Sequence, residues 1–292
     1  MFLEKKFMPN FVGISEIIDQ YDTLLFDAYG VLVDRENSLP HAVELINHLN
    51  QIKKKYLCDD NASAVQSEIC QSMRAKGFVL TEDRIVSSGS LLKPWVQENN
   101  LDQACCLFMG DERSSKLLEG TSCEILKLDK FDCQSKTFVD CFIICSQPDK
   151  NYKANLEKII SYFFWCIEQK KIPKIIIPNP DLIYPKKAGN FGIVSGMVIL
   201  MLQEAVNLRF PSFGKLPVSI LGKPSSYIFE KAASRFSGDK IIMIGDQMET
   251  DIRGAYHAEI DSALICGGIV DANYLLKDYG FSPTYLLKNL LF

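Results

Sequence analysis

Along most of the chain, short apolar runs alternate with longer amphipathic stretches, the pattern of repeated strand–helix–strand units around a parallel sheet. The first clear strand predicted is Thr23–Phe26, stopping at Asp27, and a helix follows over His41–Gln51 with Val43, Leu45, Ile46 and Leu49 on one side. A strand at Lys55–Cys58 runs into Asp59-Asp60-Asn61, and a helix covers about Ser63 to Lys76. A second series gives strand Ile85–Val86, helix Leu91–Asn99, strands Ala104–Met109 and Phe138–Cys145, helix Tyr152–Gln169, and strand Ile175–Ile177 before Asn179-Pro180-Asp181. The last third gives helix Gly192–Val206, strand Val218–Leu221, helix Ser226–Ala233 and strand Lys240–Ile244 ending at Gly245-Asp246. A helix near Asp251–Ala258 and a strand at Ser262–Ile265 close the series. The expected fold class is α/β.

Composition narrows the picture. The 292 residues suffice for one large domain or two ordinary ones, and 47% apolar content gives each a core. With 32 basic residues against 36 acidic ones, the net charge is −4, so no overall basic field invites nucleic acid. The N-terminus turns charged within its first residues and has no apolar run ending in a small-residue cleavage site, so no signal peptide is expected. The most apolar stretches, Ile159–Ile167 and Ile193–Leu202, are about half the ~20 residues a spanning helix needs. They read as buried helix segments, with no membrane partner. Ten cysteines contain no CxxC pair, and the three histidines are scattered. Several cysteines sit inside apolar runs, Cys105-Cys106 before Leu-Phe-Met and Cys141 and Cys145 around Phe-Ile-Ile. They read as free buried thiols in a reducing cytoplasm rather than a zinc site. The succession Tyr162-Phe163-Phe164-Trp165 is aromatic on more than one helix face. It reads as internal packing, with a homodimer contact as the role for any exposed part.

Four polar groups fall just past predicted strand ends, where open α/β sheets place their ligands. They are Asp27, the Asp59–Ser63 cluster, Lys223, and Asp246 with Asp251. Each alone has a structural reading: Asp27 as a turn former, Lys223-Pro224 as a helix entry, Gly245-Asp246 as a turn, Asp251 as a helix cap. Together they make a constellation. Carboxylates on neighbouring strand ends can hold Mg²⁺, a nearby ammonium offsets phosphate charge, and one carboxylate can attack phosphorus.

On Phe26-Asp27-Ala28-Tyr29-Gly30-Val31-Leu32, Asp60-Asn61-Ala62-Ser63, Asn179-Pro180-Asp181, Gly222-Lys223-Pro224-Ser225 and Gly245-Asp246-Gln247-Met248-Glu249-Thr250-Asp251-Ile252, the chain resembles the haloacid dehalogenase superfamily. The likeness is to its class IIA, p-nitrophenylphosphatase-like branch. The resemblance implies a Rossmann-like parallel-sheet core, residues 1–76 and 191–292, with a large α/β cap inserted over 77–190. It implies a Mg²⁺-dependent phosphatase acting on small phosphorylated metabolites such as sugar phosphates. Asp27 matches the nucleophile and first metal ligand, the main-chain carbonyl of Tyr29 a second ligand, Asp246 a third, and Asp251 a partner that orients the metal shell. Lys223 matches the phosphate-neutralising lysine. Asp59, Asn61 and Ser63, with Asn179 and Asp181 on the cap side, fall where substrate is read.

Two positions depart from the pattern. Tyr29 stands where the family has a second aspartate serving as general acid and base, and a phenol with a pKa near ~10 is a poor base at neutral pH. Losing such a group typically costs about 10²–10⁴ in rate. Asp59 stands, in the best register, where a Ser or Thr would hydrogen-bond phosphate; the metal or Lys223 offsets part of its charge, or Ser63 supplies the hydroxyl, or Asp59 turns outward. A catalytically silent module binding a phosphorylated ligand or a protein is the alternative these departures leave open. A 2-haloacid dehalogenase, which needs no leaving-group protonation, fits less well because the insertion follows the second motif.

Overall fold

The computed structural model describes residues 9–34, 36–60, 64–145, 151–185, 190–236, 238–266 and 279–292. The chain forms two compact units, Met1–Asp60 with Gln66–Val86 and Lys223–Phe292, and Asn61–Val65 with Ser87–Gly222.

The first unit opens with β1 (Asn10–Val12), α1 (Ile14–Gln20), β2 (Thr23–Asp27), α2 (Ala42–Gln51), β3 (Lys55–Asp60), α3 (Gln66–Ala75) and β4 (Ile85–Ser87). The second unit then runs α4 (Leu92–Glu98), β5 (Cys105–Met109), α5 (Glu112–Ser115), β6 (Glu124–Lys127), β7 (Cys141–Ile144), α6 (Tyr152–Glu168), β8 (Lys174–Ile177), β9 (Ile183–Pro185), β10 (Phe191–Ile193), α7 (Ser195–Arg209) and β11 (Val218–Ile220). The chain returns to the first unit with α8 (Ser226–Ala233), β12 (Ile241–Gly245), α9 (Arg253–His257), β13 (Asp261–Ile265) and β14 (Tyr285–Leu287).

The first unit's sheet has the order β1-β14-β13-β12-β2-β3-β4, with parallel pairing from β1 through to β3. Its central strands β2 and β12 are buried at every residue. That is why they read as unbroken apolar runs rather than alternating ones.

The second unit has a five-stranded sheet ordered β11-β8-β7-β5-β6, parallel throughout. Helices α6 and α7 supply its core: Ile159, Tyr162, Phe163 and Cys166 pack with Val198, Leu202 and Val206 against Leu107, Phe142 and Ile175. Each such large apolar side chain contributes about 1.5–3 kcal/mol on burial. Tyr162 and Phe163 are fully buried while Phe164 and Trp165 pack at the margin of the same core, so the aromatic run serves packing.

The unit boundaries differ from those expected. Residues 191–222 belong to the second unit, because α7 packs on α6 and β11 pairs with β8 in its sheet. Residues 77–86 stay in the first unit. Phe78, Leu80 and Ile85 are buried, and Arg74 Nε donates to the Leu80 carbonyl at 2.8 Å.

Candidate active site

Three adjacent strands of the first unit's sheet, β12, β2 and β3, end in acids. Asp27 is the last residue of β2 and lies in register opposite Asp59 on β3. Asp246 follows β12 directly. Parallel pairing brings these carboxyl ends side by side at one edge, where such sheets bind ligands. The turn after β2 is fixed by its backbone: Ala28 N–H donates to the Asp59 carbonyl, and the Ala28 carbonyl accepts from Leu32 and Val33.

Lys223, just ahead of α8, is buried among these acids, 2% exposed. Its Nζ donates to Asp27 Oδ1 at 2.5 Å, and it lies 2.8 Å from Asp251 Oδ1 and 4.0 Å from Asp59 Oδ1. Asp251 is not the helix cap that its spacing suggested. It sits inside a five-residue π-helical turn, Met248–Ile252, that precedes α9. Its Oδ2 accepts from the backbone N–H groups of Asp246 at 3.2 Å and Gln247 at 3.1 Å. The wider turn lets one carboxylate hold the loop after β12 and face Lys223 together.

Two glycines make room for the acids. Gly30 has φ of +111°, and a Cβ there would lie 2.5 Å from Asp246 Oδ2. A Cβ on Gly245 would meet the Asp251 Cβ at 2.3 Å. Both stand in quoted motifs, but their steric role was invisible in sequence because it depends on acids distant along the chain.

The electrostatics are lopsided. Burial holds Asp27 well above the usual carboxylate range, Lys223 pulling it down while Asp251 and Asp246 push it up. Burial likewise pushes Asp59 to about 7 against the pull of Lys223, and raises Asp60. For Lys223 burial works downward, yet Asp251, Asp27 and Asp59 outweigh it and hold the ammonium well above its ordinary pKa.

The residues fit a hard divalent cation. One carboxylate oxygen each from Asp27, Asp246 and Asp251 lies within 4.8 Å of the others, all three residues buried. Asp27 Oδ2 is buried with no hydrogen-bond partner among the described residues. An all-oxygen set carrying excess negative charge suits Mg²⁺ and no soft metal.

The remaining expected residues are distributed as follows. Asp59 does not turn outward: it is 2% exposed and faces Lys223. Tyr29 is half-buried in the turn after β2, bridged to Val33. Asn61 and Ser63 lie outside the described residues. Asn179 and Asp181 belong to the second unit, where Asn179 Oδ1 accepts from the Asp181 backbone N–H at 2.8 Å and closes a turn. Asp60, half-buried at the end of β3, was read only as part of the Asp59–Ser63 cluster and its motif and given no role of its own; burial raises its carboxyl against the pull of Lys223. Its signal was its place directly after Asp59.

Fold and site together define a hydrolase of the type whose acids meet at the carboxyl edge of a Rossmann-like sheet. Residues 24–124 match the haloacid dehalogenase-like hydrolase family and residues 220–291 a second, HAD-hydrolase-like family. The chain belongs to the haloacid dehalogenase-like hydrolases. It is 24% identical over 277 residues to the acid sugar phosphatase of Staphylococcus saprophyticus, covering 92% of this chain and 95% of that one. Its fold matches a possible sugar phosphatase of the superfamily from Cytophaga hutchinsonii, with a TM-score of 0.82 and 24% identity over 98% and 99% of the two chains. It also matches a p-nitrophenyl phosphatase from Archaeoglobus fulgidus, with a TM-score of 0.73 and 20% identity over 92% and 97%.

Proposed function

We propose that this protein is a Mg²⁺-dependent phosphatase that transfers the phosphoryl group of a small metabolite, in the class of sugar phosphates, to Asp27 and then to water. The observation that carries this reading is the convergence of Asp27, Asp246 and Asp251 around one point, with the Lys223 ammonium beside them. The substrate class follows the relatives, among them the acid sugar phosphatase.

Asp27 and Asp246, with the main-chain carbonyl of Tyr29, would hold Mg²⁺, which supplies Lewis-acid neutralisation of charge on the phosphoryl oxygens. Asp27 attacks phosphorus, the alcohol leaves, and the aspartyl phosphate is cleaved by water. Lys223 offsets the charge of the incoming phosphate and keeps Asp27 oriented. Asp251 anchors the loop that carries Asp246. Asn61, Ser63, Asn179 and Asp181 read the substrate. Tyr29 offers a donor but a poor base, so hydrolysis of the aspartyl phosphate is the slow step, and a good leaving group speeds only its formation. The ten free thiols suit a reducing compartment such as the cytoplasm.

The test is turnover of p-nitrophenyl phosphate by purified protein. The expected result is Mg²⁺-dependent hydrolysis that Asp27→Asn abolishes. Equal rates for wild type and Asp27→Asn would favour the silent binding module, and halide release from 2-haloacids without metal would favour a dehalogenase.

A further inference from the structure

Away from the acids, the second unit gathers four of its cysteines near one end of its sheet. Cys105 and Cys106 open β5, Cys141 opens β7, and Cys123 directly precedes β6. Cys106 and Cys141 are exact register partners on adjacent parallel strands. Both are fully buried, and the Cys141 thiol donates to Cys106 Sγ at a sulfur–sulfur distance of 2.9 Å. That distance is well inside ordinary contact between two thiols.

We propose that Cys106 and Cys141 are a dithiol that closes to a reversible disulfide when the protein meets a peroxide. Paired strands lie about 4.7–4.9 Å apart. Register partners therefore fall inside the ~4.4–6.8 Å window of Cα separations that a disulfide spans. A shared zinc fits less well, since two thiolates bound at ~2.3 Å in tetrahedral geometry stand about 3.8 Å apart. The bridge would join neighbouring strands and close a loop between residues 35 apart in sequence. Part-exposed Cys123, whose thiol donates to the Leu101 carbonyl at 3.2 Å, lies close to Cys106.

The chemistry balances. The Cys106 thiol, once deprotonated, attacks the peroxide O–O bond to give a sulfenic acid and one water. The Cys141 thiol then displaces hydroxyl from that sulfur, releasing a second water. Two thiols are oxidised to one disulfide as hydrogen peroxide is reduced to two waters, and a dithiol reductant reverses the change. Burial disfavours the thiolate, so a small neutral peroxide suits this pair better than a bulky, charged disulfide oxidant.

The test exposes the intact protein to hydrogen peroxide, unfolds it, alkylates the remaining thiols and maps the peptides by mass spectrometry. The expected result is a Cys106–Cys141 cross-linked peptide, two hydrogens lighter than its reduced parts, with two of the ten thiols lost together and regained with dithiothreitol. In Cys141→Ser the cross-link disappears; wild type, which carries no substitution to impair folding, supplies the primary readout. The proposal fails if Cys106 and Cys141 remain alkylatable while the part-exposed thiols oxidise, or if Cys106 pairs with Cys123 instead.

Discussion

At Lys223 one buried ammonium faces Asp27 and Asp251 directly and Asp59 at the edge of contact. Removing the only close cation among the described residues from such a group leaves uncompensated buried charge, a change that typically costs about 3–5 kcal/mol. Lys223→Met should therefore lower stability in urea at neutral pH as well as activity; unchanged stability would mean the acids are neutral without it. Asp59 is the residue most at odds with phosphate binding. Two unit charges about 4 Å apart interact by about 4 kcal/mol at an effective dielectric of 20, and tenfold in affinity is about 1.4 kcal/mol. Asp59→Ser should lower KM for p-nitrophenyl phosphate about tenfold or more, measured in steady state. Tyr29→Asp should raise turnover by about 10²–10⁴ if the missing base limits the reaction.

The same acids set a pH dependence. Asp59 titrates at about 7 in the folded protein against about 3.9 when unfolded, and Asp27 and Asp60 shift the same way. The folded state thus binds more protons than the unfolded chain. Their contribution is fully retained below about pH 4 and is lost as pH rises through 7. Metal-free protein should be more stable to urea at pH 5 than at pH 8, with Asp59→Asn flattening the difference; a stability that rises over this range would contradict the assignment.

Among the elements, β2, β3 and β12 were legible in sequence because each is a short buried apolar run stopped by an acid. The structure extends β3 through Asp60, so both acids belong to the strand itself. The strands β1, β9, β10 and β14 were not read, at three residues each with too little alternation to register, although β4 and β11, equally short, were. A helix was expected only from near Asp251, and the π-helical turn Met248–Ile252 that precedes α9 was not read, since composition does not distinguish a π turn from an α turn. Gly30 ties element to site: its positive φ and the closeness of Asp246 both exclude a side chain. Gly30→Ala should abolish the rise in thermal midpoint produced by Mg²⁺, read by differential scanning fluorimetry, even if the protein still folds.

At the scale of the whole molecule, the parallel α/β class could be read from the alternation of elements, whereas the inserted segment followed from the family resemblance. The point of return followed from neither. Residues 191–222 were expected in the first unit, and only the packing of α7 on α6 and the pairing of β11 with β8 assign them to the second. The acids and Lys223 all lie in the first unit, while the second has a core of its own. Mg²⁺ should therefore raise the stability of the first unit selectively, giving calorimetric unfolding in more than one step with the metal shifting one of them.

The most direct measurement is an acid quench of enzyme mixed with Mg²⁺ and ³²P-labelled sugar phosphate, followed by peptide mapping. Because Tyr29 is a weak base, label should accumulate on the peptide that contains Asp27 and be absent from Asp27→Asn. Turnover with no label on the protein, or label on another residue, would contradict the account.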